Sequence, residues 1–362
     1  MKRALLITLL LLLMSGFAQA ETAEELIGSL DLTSWQAAAD EAGTGLDVLD
    51  TLRALVNGDA ALTPEAIWAL LRTMILGEAQ GMKGQLMTFL APALLWGINR
   101  QLTDKPGGAA GYVCFLFGAG AMLGAFASQM ELARLTIRRM SSLTEKVFPA
   151  LTALMSTTGR SGTAGMLAPL AAFGGGVLTA AVEGLVCGLC GGAAVLAVAG
   201  NLTERIRLGS LFKLCCAAGE WAMGAVMTLF LGLTAVCGVI GPAQDGVTLR
   251  AAKYAADSLL PVVGGDIADA MDGMAASASL VRSAAGVTGV LVMLAVCVRP
   301  VIRLTLGLLV CRLSAALSEP VADGPLVRCA EQLGKATGLL LAAVAVSAAL
   351  FVTLAGVCVG AR

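Results

Sequence analysis

The sequence contains no histidine. That removes in one step the usual general base near neutral pH and the commonest ligand for zinc and haem. Charge is scarce as well. Asp, Glu, Lys and Arg make up 14% of the 362 residues against 57% apolar ones, and the mean hydropathy is +0.85. A soluble chain of this length needs far more charge to cover its surface, so the composition implies an integral membrane protein. With a net charge of −1 there is no global basic character to attract nucleic acid. No G-x-x-x-x-G-K-[ST] is present to cradle a nucleotide phosphate, so any ATP drive has to come from a partner. No catalytic residue, cofactor or metal site is expected, and the chain is not expected to be an enzyme.

Two motifs that suggest chemistry fail on their surroundings. Cys187-Gly188-Leu189-Cys190 is a C-x-x-C within an apolar run and has no second pair, and Cys215-Cys216 has no histidine nearby. Cysteine then reads as a small apolar residue where helices pack closely. The G-R-S-G at Gly159–Gly162 is similar to the serine motif of rhomboid intramembrane proteases, whose dyad needs a histidine, so Ser161 is expected to be a turn residue. Frequent glycines in the apolar runs, among them Gly118, Gly174, Gly175 and Gly176, allow close helix crossings, as in a bundle or homo-oligomer.

Met1–Ala20 reads as a signal peptide, with Lys2 and Arg3 first, the apolar core Ala4–Met14, and Ala18-Gln19-Ala20 as a cleavage site before Glu21. The alternative is an uncleaved first span, for which that core is short. Residues 21–81 are acidic, which places them outside the cytoplasm, since Lys and Arg concentrate inside. Within them Leu46–Val56 is spaced for a short amphipathic helix ending near Gly58, and Thr63 caps a second helix with Pro64 at its first position. A loosely ordered acidic leader is the alternative.

Residues 82–362 read as an all-α, polytopic membrane domain with about six to eight crossings of about 20 residues each. The apolar runs are Met82–Ile98, Tyr112–Phe126, Thr163–Gly200, Trp221–Ile240, Ala285–Val298, then after the break at Arg299-Pro300 Val301–Val310, and Ala336–Val359. Thr163–Gly200 is too long for one span, and Gly174-Gly175-Gly176 allows it to be two short ones, with Glu183 at their turn; read as continuous, it puts Glu183 far from either end. Residues 130–162 and 241–283 read as surface or re-entrant segments. The first holds the basic amphipathic stretch Met130–Lys146; the second holds an amphipathic helix Val247–Leu260 and an acidic one, Asp266–Ala275. Pro149, Pro261, Gly264, Gly265 and Pro300 are candidate helix breaks. The order span, amphipathic helix, proline, span recurs in both halves, as in transporters with internal repeats. Arg205, Arg207 and Lys213 mark a cytoplasmic loop, as does 312–335, and alternation puts Asp245–Arg282 outside. If Met82–Ile98 and Tyr112–Phe126 both cross, the basic Met130–Lys146 lies outside, against that rule. An interfacial first run would return it to the inside.

Glu183, Glu220 and Arg299 are the charges expected within the bilayer. A charge against lipid costs about 2.5–3.5 kcal/mol on insertion scales, so such groups face a bundle interior or a wet cavity and are candidate pathway or packing residues. Glu220 and Arg299, near span ends, can instead snorkel to the interface. Glu183 is the strongest of the three, with no basic residue in the run Thr163–Gly200.

The run DGVTLRAAKYAADSLLPVVGGDIADAMDG (Asp245–Gly273) and its continuation SASLVRSAAGVTGV (Ser277–Val290) resemble the most characteristic part of the stage III sporulation protein AE family. Leu313-Ser314-Ala315-Ala316, Glu319-Pro320 and Gly324-Pro325-Leu326 resemble its C-terminal signature. The resemblance runs from Leu86 to the end and is strongest from Asp245 to Gly334; Glu21–Gly81 match only in general character. It implies a multi-pass subunit of the channel apparatus linking mother cell and forespore, in the mother-cell membrane. The partners it implies are a secretion-type ATPase and ring-forming membrane proteins, besides the lipid bilayer. An independent secondary transporter and a non-conducting assembly scaffold are the rival readings.

Overall fold

The computed structural model describes residues 28, 32–41, 47–57, 64–102, 109–157, 161–202, 208–259, 264–319 and 324–360. The expected signal peptide and Pro261 lie outside the described residues. Among the described residues there is no strand, as an apolar chain requires: away from water, a backbone can satisfy all its own N–H and C=O groups only as a helix or a closed barrel.

Two short helices come first, α1 (Thr33–Glu41) and α2 (Val48–Asn57). The long helices α3 (Pro64–Leu102) and α4 (Ala109–Thr157) follow. The chain then returns along a composite rod. It is built from α5 (Ser161–Ala172), a π-helical segment Phe173–Leu178, α6 (Thr179–Ala181), a second π segment Val182–Val186, and α7 (Cys187–Leu202). Last come α8 (Gly209–Leu259), α9 (Gly264–Ser318) and α10 (Pro325–Gly360). Five helical stretches among the described residues are long and apolar enough to cross a membrane: Gly111–Ala153, Gly162–Leu202, Gly209–Cys237, Ser279–Ser318 and Pro325–Cys358. The chain is therefore an all-α protein of polytopic type.

Several expected breaks are absent. Pro149 lies inside α4 and Pro300 inside α9. An interior proline costs about 3 kcal/mol, and burial of neighbouring side chains outweighs it. Val147, Phe148 and Leu151 are buried around Pro149, and Val296, Cys297 and Leu304 around Pro300, each large apolar side chain contributing about 1.5–3 kcal/mol. The basic stretch 130–146 continues the helix that carries Tyr112–Phe126, so it is no separate surface helix. Likewise 247–259 continues the helix from Trp221, and Asp266–Ala275 opens the helix that carries Ala285–Val298. Gly264 and Gly265 are the first residues of α9. Because Pro149 lies within a helix whereas α8 ends at Leu259, the two halves do not share a break. Gly174–Gly176 does not divide its run; it forms the first π segment.

Side-chain contacts fix the register of the rods. Gly118 of α4 lies against Leu326 of α10 and Pro92 of α3, with 3.0 Å from an added Cβ to each. Farther along α4, Gln129 accepts a hydrogen bond from Thr337 (3.0 Å), and Phe148 meets Phe351 edge-on with ring centroids 5.4 Å apart. So α4 and α10 run parallel. Gln129 also lies over Gly307 and Val147 over Gly289, which makes α9 antiparallel to α4. Met130 touches Gly191 and Thr144 touches Gly175, so the composite rod is antiparallel too. Successive long helices thus alternate in direction.

The acidic N-terminal region docks on this bundle. Trp35 of α1 is fully buried, close to Gly289 of α9, and Val48 and Leu52 of α2 are buried as well. Gln36 accepts a hydrogen bond from the Val48 backbone N–H (2.8 Å), joining α1 to α2, and Glu41 pairs with Arg139 of α4.

Candidate functional site

Glu183 lies in the second π segment and meets a partner from another helix. Arg138 of α4 donates to its Oε1 from Nε at 2.7 Å and from Nη2 at 2.6 Å. The Glu183 side chain is 19% exposed and that of Arg138 is 68% exposed. The pair therefore bridges α4 and the composite rod and leaves the guanidinium largely exposed. Arg134, one turn earlier, lies near the buried Cys187 at the start of α7. The sequence signal for Arg138 was present in the spacing of Arg134, Arg138 and Arg139, but nothing local says that their acids lie on α1 and the composite rod.

The glycines bring the rods that close together. A Cβ on Gly174 would lie 2.5 Å from the ring of Phe230 on α8, and one on Gly175 would lie 2.7 Å from Thr144 of α4. A π turn bonds i to i+5 and leaves its carbonyls short of partners at its ends. Here hydroxyls supply donors: Thr179 Oγ1 donates to Gly174 O (2.9 Å), and Ser141 Oγ of α4 donates to Gly175 O.

The other two candidate residues lie apart from Glu183. Arg299 of α9 donates to Glu78 of α3 at 3.1 Å. Glu220 of α8 is exposed, next to Gly219, which packs on Leu339 of α10. The three are on different sides of the bundle, yet the register sets them at nearly one height, within about two turns of Gln129 along α4. Lower down, a polar cluster ties α7 to α10: Asn201 Nδ2 donates to Gln332 (2.9 Å) and Arg328 Nε donates to Asn201 (3.3 Å).

Above that belt the helices differ sharply. From 283 to 298 on α9, 336 to 360 on α10, 221 to 244 on α8 and 161 to 182 on the composite rod, no residue is charged. By register these stretches stand beside α4 from Gln129 past Phe148. There α4 carries Glu131, Arg134, Arg138, Arg139, Glu145 and Lys146. Its own uncharged stretch, 109–130, stands lower, beside the start of α10. A hydrocarbon layer of about 30 Å holds about 20 helical residues, so it cannot hold the uncharged stretches of α4 and α10 together.

A family model described as stage III sporulation protein AE matches residues 46–362. The chain belongs to the stage III sporulation protein AE family. The Bacillus subtilis (strain 168) protein named "Stage III sporulation protein AE" is 24% identical over 306 residues, covering 83% of this chain and 77% of that one. No solved structure matches the chain. Family membership thus extends the matched region to residue 46, so that α2, read from the sequence only as acidic and amphipathic, is part of the family unit.

Proposed function

We propose that this stage III sporulation protein AE family member is a membrane-embedded subunit of the mother cell–forespore channel, forming or supporting a conduit during endospore formation. Membership in the family gives the sporulation role. The observation that favours a conduit is Glu183: the one charge on a rod otherwise uncharged from 161 to 203, held by the exposed Arg138 of α4 and itself 19% exposed rather than sealed in the core. Lacking a phosphate-binding loop of its own, the subunit works with a secretion-type ATPase and ring-forming membrane proteins of the same apparatus. It is a multi-pass protein of the mother-cell membrane, with its acidic N-terminal region outside the cytoplasm. We do not favour an independent transporter, because the interrupted helices that motivated it are continuous at Pro149 and Pro300.

Glu183→Gln keeps shape and hydrogen bonding but removes the charge, whereas Glu183→Leu removes both. In sporulating cells Gln is expected to abolish channel function while the protein accumulates and co-purifies with the ring proteins. A Gln variant that sporulates normally, with Leu impaired only in assembly, assigns Glu183 to packing. That result leaves the scaffold as the better reading. Solute flux through the purified protein alone would restore the transporter.

A further inference from the structure

We propose that α1 is a strap that comes off the bundle as a unit, baring Arg139 and the apolar floor beneath Trp35, while α2 and the long helices stay folded. On its own α1 is weak. It has nine residues, fewer than an isolated helix needs in water, so docking is what keeps it helical. Its last turn carries Asp40 and Glu41 and no basic residue, which sets negative charge at the negative end of the helix dipole. Its hold on the bundle is also limited. Trp35 is fully buried over Gly289, where Val147 of α4 and Phe351 of α10 also meet, and Ala39 is buried one turn on. Yet the Trp35 indole Nε1–H is buried with no hydrogen-bond partner among the described residues, so its desolvation cancels part of the gain from burying the ring. The Glu41–Arg139 pair is open to solvent at both ends, with side chains 58% and 36% exposed, and such pairs contribute little.

The elements around α1 have supports of their own. At the start of α2, Asp47 Oδ1 accepts hydrogen bonds from the backbone N–H groups of Leu49 (3.0 Å) and Asp50 (3.1 Å), and Val48 and Leu52 are buried. α4 and α10 meet directly through Phe148 and Phe351. The family match begins at residue 46, so α2 belongs to the shared unit and α1 lies outside it. Residues 42–46, between the two helices, include Gly43 and Gly45, the residue type with the widest backbone freedom. The bond from the Val48 N–H to Gln36 joins α1 to α2, and water can replace it on release. One face of the bundle therefore has two states, covered by α1 or presenting an apolar floor with a cationic edge. The strap requires no conduit, so its failure leaves the proposed function as it stands.

Hydrogen exchange of the full-length protein in lipid nanodiscs, read by mass spectrometry, tests this, because a unit that opens locally exchanges ahead of the core. Amides 35–41 are expected to be protected, yet to exchange at least about tenfold faster than amides 284–296 of α9. Glu41→Gln weakens the tether and is expected to speed exchange in α1 about threefold, with α2 and α9 unchanged. Trp35→Ala is expected to bring α1 to the rate of an unstructured peptide and to leave α9 within about twofold of its own rate. If α1 exchanges in step with α9, or if Trp35→Ala strips protection from α9 as well, α1 is an integral part of the core and the strap is refuted. An α1 without protection in the unaltered protein would refute the docked state.

Discussion

Arg138 grips a single carboxylate oxygen of Glu183 with two of its nitrogens, reaching across 45 residues of sequence from one rod to the next. Reversing either charge alone, as R138E or E183R, sets like charges face to face. Each is expected to lower the amount of assembled protein several-fold, through faster clearance of a destabilised chain. The double reversal R138E/E183R is expected to recover most of it. Quantitative blotting of membranes decides this, and a double variant no better than the singles would refute a direct pairing.

Gly174 admits the ring of Phe230. The Gly174→Ala variant places a methyl group where that ring already lies, and overpacking of this kind costs about 1–3 kcal/mol. Thermal unfolding of the detergent-solubilised protein should therefore fall for G174A and recover in part when F230L is added. An unshifted G174A would mean the two rods approach less closely than described.

Gln129 occupies the space that a side chain at Gly307 would need, and it accepts the Thr337 hydroxyl hydrogen in a buried setting. The Gly307→Ala variant should expel the carboxamide and strand a buried polar group, at about 1–3 kcal/mol. Because the two positions share one space, G307A/Q129A should be no less stable than G307A alone. Losses that simply add would argue against that coupling.

Sidedness follows from the alternating rods. A cysteine at Ser210, near the start of α8, is expected to be shielded from an impermeant maleimide added outside. One at Ser258, near the end of the same helix, is expected to label. Equal labelling would invert or abolish this topology. Mass-spectrometric sequencing of the mature protein is expected to find Glu21 at its N-terminus, and a chain still starting at Met1 would refute cleavage.

Local chemistry made much of this legible in advance. The apolar runs became helices, and the helix with Pro64 in its first turn starts at that residue. The amphipathic stretch before Gly58 is α2. What could not be read locally is what packing decides. Pro149 and Pro300 carry the usual mark of a break, and it is the burial of their own helices' neighbouring side chains within the bundle that holds the helices intact. Glu183 was visible as an isolated acid, but its partner belongs to another helix. Trp35 gave no sign that it would anchor an acidic leader to α9, because its contacts come from residues more than 200 positions away, at Gly289.

The two π segments carry one more implication, about chain length. Each π turn accommodates an extra residue within a rod that would otherwise wind at 3.6 per turn. Deleting one glycine from Gly174–Gly176 would therefore let that turn wind as ordinary α-helix, while Glu183 and the residues beyond keep nearly the facing they have now. The same deletion in α5 would turn everything after it by about 100° and carry Glu183 away from Arg138. The first π segment is thus the place where this rod can be a residue shorter and still hold its carboxylate toward α4.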